Sequence, residues 1–179
     1  MHRVYLGTRD TQIPTLLWIL CVCATFPPFV YVEGEAIVQT TVKWVDGAMF
    51  LGESGSGHSV VMDGPEDLGG RDLGPRPMEM LLMGTGGCAM FDVVSMLKKS
   101  RQPLQDCRVE IQAERADAVP AVFTRLNMHF VVSGAGLKDS QVKRAVELSA
   151  GKYCSASIML GAAGVEITHS YEVIDSAAA

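Results

Sequence analysis

An α+β fold is predicted by three features of the sequence. Short alternating hydrophobic segments flank a long apolar helix, a second helix of amphipathic pattern follows, and Gly- or Pro-rich joints separate them. The order is three strands, helix, two strands, helix, strand. A length of 179 residues suits one substantial domain and is too short for two ordinary ones.

Residues 1–36 stand apart as an N-terminal extension. The apolar run from Leu16 to Ala24 follows Arg3 and Arg9 and precedes Pro27-Pro28. It reads as a secretory-signal-like segment, a marginal membrane anchor, or non-native upstream sequence, in which Cys21 and Cys23 carry no chemistry. The folded domain is expected over residues 37–175, with a frayed tail at 176–179.

From Glu35 the texture turns to alternation, with Val38, Thr40, Val42 and Trp44 on one parity, ending at the hairpin signal Asp46-Gly47. A second strand over 48–52 and a third over about 58–63 complete a meander. The stretch 64–76, rich in Gly, Pro and charge, is a loop leading into the central helix.

Pro77 to Ser100 reads as one buried helix. Between Met78 and Met96 its only charges are Glu79 and Asp92, so it is apolar nearly all round. Pro77 suits its first turn and Lys98, Lys99 and Arg101 its end. Gly84, Gly86 and Gly87 each cost about 1 kcal/mol of helix propensity, which predicts a close crossing by a second helix beside Cys88.

Two strands over 107–115 and 123–133 follow, with Val119-Pro120 in their turn. Asp139 is expected to cap a second helix whose inner face carries Val142, Ala145, Val146, Ser149 and Tyr153. Cys154 ends that helix, Ser155 to Leu160 adds a further turn, and a last strand covers 165–174. A helix apolar on every side needs more cover than one small sheet and one partner helix supply. A homodimer with the two central helices packed together is therefore expected.

Composition removes several function classes. A net charge of −5 with no basic run gives no support for nucleic-acid binding. The five cysteines form an odd, widely spaced set, unlike a disulfide scaffold or a CxxC zinc site. No cofactor and no metal are expected, membrane association is not expected of the domain, and a cytoplasmic location is. Ten methionines point to a soft, apolar interior. Cys88 reads either as a reactive thiol or as a small buried residue in a glycine-rich crossing. Cys107 reads as structural, and His58 and His129 as hydrogen-bonded strand residues. Asp92, one turn beyond Cys88, would oppose thiolate formation there.

Trp44-Val-Asp-Gly, Gly57-His58, Pro77-Met-Glu79-Met, Gly86-Gly87-Cys88, Lys152-Tyr153-Cys154-Ser155 and Thr168-His169-Ser-Tyr171-Glu resemble the OsmC/Ohr family, in its YhfA-like branch. The resemblance covers about Val38 to Ile174. It implies an OsmC-like intertwined homodimer, with two long central helices packed with antiparallel sheets, and a thiol peroxidase that reduces organic hydroperoxides. Carried onto this chain, Cys88 would be the attacking (peroxidatic) cysteine and Cys154 the resolving one, the disulfide then being reduced by a dithiol. The family's glutamate falls ten residues before the attacking cysteine, at Met78 here, with Glu79 one position later. No arginine occurs between Arg9 and Arg71 to serve from the hairpin, which leaves Arg71 or Arg76 of the loop. The alternative is a non-catalytic protein of the same fold that binds a small apolar ligand.

Overall fold

The computed structural model describes residues 31–32 and 35–176. The sequence reading of 1–30 and of the tail beyond 176 lies outside the described residues. A short hairpin, β1 (Tyr31–Val32) and β2 (Glu35–Ala36), precedes the domain. Three antiparallel strands follow, β3 (Thr40–Asp46), β4 (Met49–Ser54) and β5 (Ser59–Met62), in the order β3-β4-β5. Gly47 turns the first hairpin at φ +51°, a left-handed conformation that glycine adopts without steric cost. The Trp44 indole N–H donates to the Gly47 carbonyl at 2.9 Å and closes the turn.

Asp63 organises the connection to the central helix. It is buried, and its carboxylate accepts the backbone N–H groups of Gly64, Arg71 and Leu73 at 2.8, 3.0 and 3.2 Å. Burial alone would raise this carboxyl, but those donors and the Arg71 charge outweigh it and hold it below its ordinary value. Arg71 also pairs with Asp46, which ties the loop to the end of β3.

Helix α1 (Pro77–Lys99) matches the predicted span. Its Thr85, Gly86, Ala89, Val93 and Leu97 are buried, while Phe91 on the opposite side is 74% exposed. Within one chain, α1 is thus covered on one face, not all round. It is long and apolar enough to cross a membrane by length and composition, yet its covered face packs on a sheet and on the helices that follow.

That sheet comprises β6 (Asp106–Arg115), β7 (Phe123–Ser133) and β8 (Glu166–Ile174) in the order β6-β7-β8. β6 and β7 pair antiparallel, but β8 runs parallel to β7, so this sheet is mixed where wholly antiparallel sheets were expected. The helical segments between β7 and β8 return the chain to the same end of the sheet, as a parallel connection requires. Met128, Phe130 and Val132 of β7 meet Ala89, Val93 and Leu97 of α1 and Val142, Ala145 and Val146 in one core.

The second helix departs from prediction. It is broken into α2 (Asp139–Leu148), a π-helical turn (Ser149–Tyr153) and α3 (Ser155–Ala162). Lys138, not Asp139, occupies the cap position of α2, without a side-chain cap bond, and the Asp139 carboxylate instead accepts the Tyr171 hydroxyl at 3.1 Å. Tyr153 is exposed, because the wider π turn rotates it away from the inner face that regular helical spacing predicts for it.

Candidate functional site

Cys88 and Cys154 are brought together where α1 crosses the broken second helix. Two side chains fix the crossing. The Ser149 hydroxyl donates to the Ala89 carbonyl at 2.9 Å, in the interior, and the Cys154 thiol donates to the Thr85 carbonyl at 3.9 Å. Both carbonyls lie within four residues of Cys88, on adjoining turns of α1. Cys88 is half-buried and packs against the core cluster that contains Cys154, whose exposure is 0%.

The glycines serve a different contact from the one predicted. A Cβ on Gly86 would lie 2.6 Å from Ile111 Cδ1 and 3.2 Å from Val109 Cγ1, so this glycine admits strand β6. Gly84 and Gly87 would meet nothing within 4 Å among the described residues. Close approach of the Cys154 segment thus depends on Ala89 and on the backbone of Thr85, small or turned groups rather than glycine.

Cys154 occupies the cap position of α3, where the chain leaves helical geometry at φ −68° and ψ 101°. Its sulfur accepts the Ser157 N–H at 3.5 Å. Burial pushes the thiol up, the Ser157 side chain and amide pull it down, and the neighbouring Cys88 thiol pushes it up again by hydrogen bond and charge. Two buried polar atoms beside the pair, Asp92 Oδ2 one turn beyond Cys88 and Ser157 Oγ, have no hydrogen-bond partner of good geometry among the described residues.

Glu79 and Arg76 meet each other, not the thiols. The Arg76 backbone N–H donates to Glu79 Oε2 at 2.9 Å, and the guanidinium lies 3.8 Å from Oε1. This closes the start of α1, where a carboxylate also complements the helix dipole. Twelve residues of α-helix place Arg76 about 18 Å along the axis from Cys88. Among the described residues, no group of three or more His, Cys, Asp or Glu side chains could hold a metal.

A groove of about 610 Å³ runs between α1 and β6, with Leu82, Met83, Met90, Val109 and Ile111 in its walls and Glu79 and Arg108 among its polar groups. At about 100° per residue, Cys88 points roughly 160° away from Met90, so the groove and the thiol pair occupy opposite flanks of the helix. Cys107 lines the groove; burial, with the Asp106 charge adding to it, pushes its thiol up to about 11.

A long helix packed on a three-stranded mixed sheet, and crossed at Cys88 by the broken second helix that carries Cys154, defines a protein of α+β class. The chain belongs to the OsmC-like protein family, whose model matches residues 69–170. It is 54% identical to Protein YhfA of Escherichia coli K12 over 137 residues, which cover 76% of this chain and 98% of that relative. A structural-genomics structure, 53% identical, superposes with a TM-score of 0.70 over 77% of this chain and 99% of the other. An organic hydroperoxide resistance protein OsmC from Legionella pneumophila shares the fold at 16% identity, with a TM-score of 0.59 over 76% of this chain and 97% of that one.

Sequence reasoning singled out both cysteines and placed Ser149 on the inner face of the second helix, where it is buried, but missed Ser157 and Thr85. Ser157 lies three residues after Cys154, the spacing from a cap residue to the N–H it accepts, and that signal is readable once the helix break before Cys154 is recognised.

Proposed function

We propose that the protein is a thiol-dependent peroxidase that reduces organic hydroperoxides, acting as a homodimer in the cytoplasm, with a dithiol as reductant. The carrying observation is the pairing of a half-buried Cys88 with a fully buried Cys154 across two packed helical segments. The Legionella relative's name supports the substrate class.

Cys88, the more accessible sulfur, attacks as the thiolate. It displaces ROH from ROOH, taking one peroxide oxygen to become Cys88–SOH while the alkoxide takes up a proton. The Cys154 sulfur then attacks Cys88–SOH; a disulfide forms and water leaves. A dithiol returns two electrons and two protons. Glu79 and Arg76, joined at the helix start, have no reach to these sulfurs within one chain and take no step in this sequence.

The test is peptide mass spectrometry after sub-stoichiometric tert-butyl hydroperoxide. A Cys88–Cys154 cross-link should form in the wild type, and Cys88→Ser should abolish both it and peroxide consumption. Consumption that persists in Cys88→Ser, or no oxidation of either cysteine, overturns the reading.

The second reading, an apolar-ligand carrier, is favoured by the α1–β6 groove, whose methionine and aliphatic walls are remote from the thiols. A co-purified apolar molecule seen by native mass spectrometry, lost on Met90→Trp with thiol oxidation unchanged, would support it.

A further inference from the structure

The geometry points to Ser157 as the donor that stabilises Cys154 as the departing thiolate when a dithiol opens the Cys88–Cys154 disulfide. This deepens the peroxidase reading and rests on it. Two independent observations carry it. The Ser157 amide already lies 3.5 Å from Cys154 Sγ, at the first turn of α3. The Ser157 hydroxyl, on a side chain only 2% exposed, has no hydrogen-bond partner of good geometry among the described residues, yet it lies close enough to Cys154 to lower that thiol. A buried hydroxyl left unpaired is a cost that calls for a reason, and a sulfur anion three residues back supplies one.

Cys154 is thus provided for in both protonation states. As a thiol it donates to the Thr85 carbonyl. As a thiolate it loses that bond and can accept from the Ser157 amide and hydroxyl together, charge-assisted bonds that are stronger than neutral ones. The lowering of the Cys154 thiol by Ser157, against the effect of burial, agrees with this arrangement.

The consequence is a direction for the reductive half-reaction. A thiolate of the dithiol attacks the accessible Cys88 sulfur. The Cys88–Cys154 bond breaks, a mixed disulfide forms at Cys88, and the electron pair leaves on Cys154, which Ser157 holds. The second thiol of the reductant, once deprotonated, then attacks its own mixed-disulfide sulfur. The cyclic disulfide departs, Cys88 leaves as thiolate, and the two protons of the reductant end on the protein thiols. Access selects the Cys88 sulfur for attack, and the Ser157 donors offset part of the burial that raises the Cys154 thiol and would otherwise slow its departure.

The test separates this inference from the reading beneath it. In Cys88→Ser protein, the ultraviolet absorbance of the thiolate, taken as the difference from protein that also carries Cys154→Ser and followed over about pH 7 to 12, reports ionisation of the buried Cys154 without any peroxidase chemistry and without reagent access. Adding Ser157→Ala should move the Cys154 midpoint up by about one unit, and Ser157→Thr should restore it. In protein oxidised with diamide, Ser157→Ala should slow opening of the disulfide by dithiothreitol about threefold. Because the hydroxyl is unpaired in the dithiol state, Ser157→Ala should keep the wild-type melting temperature. An unchanged Cys154 midpoint, or a lowered melting temperature with no change in midpoint, overturns the role of Ser157. Failure of hydroperoxide to form the disulfide would instead overturn the peroxidase reading, with the Cys154 titration still deciding this one.

Discussion

Cys107 provides the sharpest contrast with the proposed reactive pair. Its thiol is pushed up to about 11, first by burial and then by the Asp106 charge. Because the thiolate is the nucleophile, a thiol with that value is about one part in a thousand reactive at pH 8. Cys107 should therefore label with iodoacetamide more slowly than Cys88 at pH 8, gaining about tenfold per pH unit until pH approaches 11. Isotope-coded labelling at pH 8 and pH 10 reads this directly, and equal rates at pH 8 would contradict it. The sequence-level assignment of Cys107 as structural rested on its place at a strand start, and its burial now supplies the physical cause. Cys88 and Cys154 were readable as a pair through the family resemblance, which implies a thiol on each of two helical segments. Their setting was not: carbonyl partners such as Thr85 and Ala89 leave no mark in side-chain chemistry, because any residue presents a backbone carbonyl. Glu79 was readable as a helix-start carboxylate, and capping is the contact it makes.

At the scale of elements, local turn chemistry and period 2 alternation located most boundaries. Asp46-Gly47 closes the first hairpin, and β7 covers Phe123–Ser133 as its alternation required. Two features escaped that logic. The parallel placement of β8 depends on where the intervening helices return the chain, which alternation within β8 does not encode. The end of the second helix at Cys154 and the helical segment after it were readable, but the π turn over Ser149–Tyr153 escaped because the stretch from Val142 to Leu160 contains no proline, and Gly151 alone is too weak a breaker to locate it. The glycines of α1 were readable as sites of close approach, but only Gly86 is one. This distinction is measurable. Gly86→Val would drive its side chain into Ile111 and Val109, an overpacking cost of about 1 to 3 kcal/mol. Gly87→Ala, one residue on, meets nothing within 4 Å and should be neutral or gain up to about 1 kcal/mol of helix propensity. Urea unfolding of the two variants gives the comparison, and equal effects would place the close approach elsewhere.

At the scale of the molecule, the apolar surface that one chain leaves uncovered bears on assembly. Phe91 and Met83 of α1, Met159 of α3, and Val42 and Trp44 of β3 are all exposed, Trp44 by 68%. Among the described residues, β3, β4 and β5 pack chiefly on one another and the loop behind them, without extensive contact with the helices of their own chain. Apolar surface spread over a sheet and two helices is more than a stable monomer commonly carries, and it suits burial against another copy. The proposed homodimer accounts for both the uncovered flank of α1 and the unsupported sheet. A charge placed at the centre of such an interface would have to be buried without a partner, a cost of several kcal/mol and therefore at least a hundredfold in dimer affinity. Phe91→Glu should thus shift the protein to monomer at micromolar concentration in sedimentation-velocity ultracentrifugation, while Lys143→Glu, on the exposed side of α2, should leave the distribution unchanged. A wild-type protein already monomeric at that concentration, or a Phe91→Glu variant that sediments as wild type, would remove the dimer from the proposal. The Cys88–Cys154 chemistry would survive that result, because both sulfurs belong to one chain.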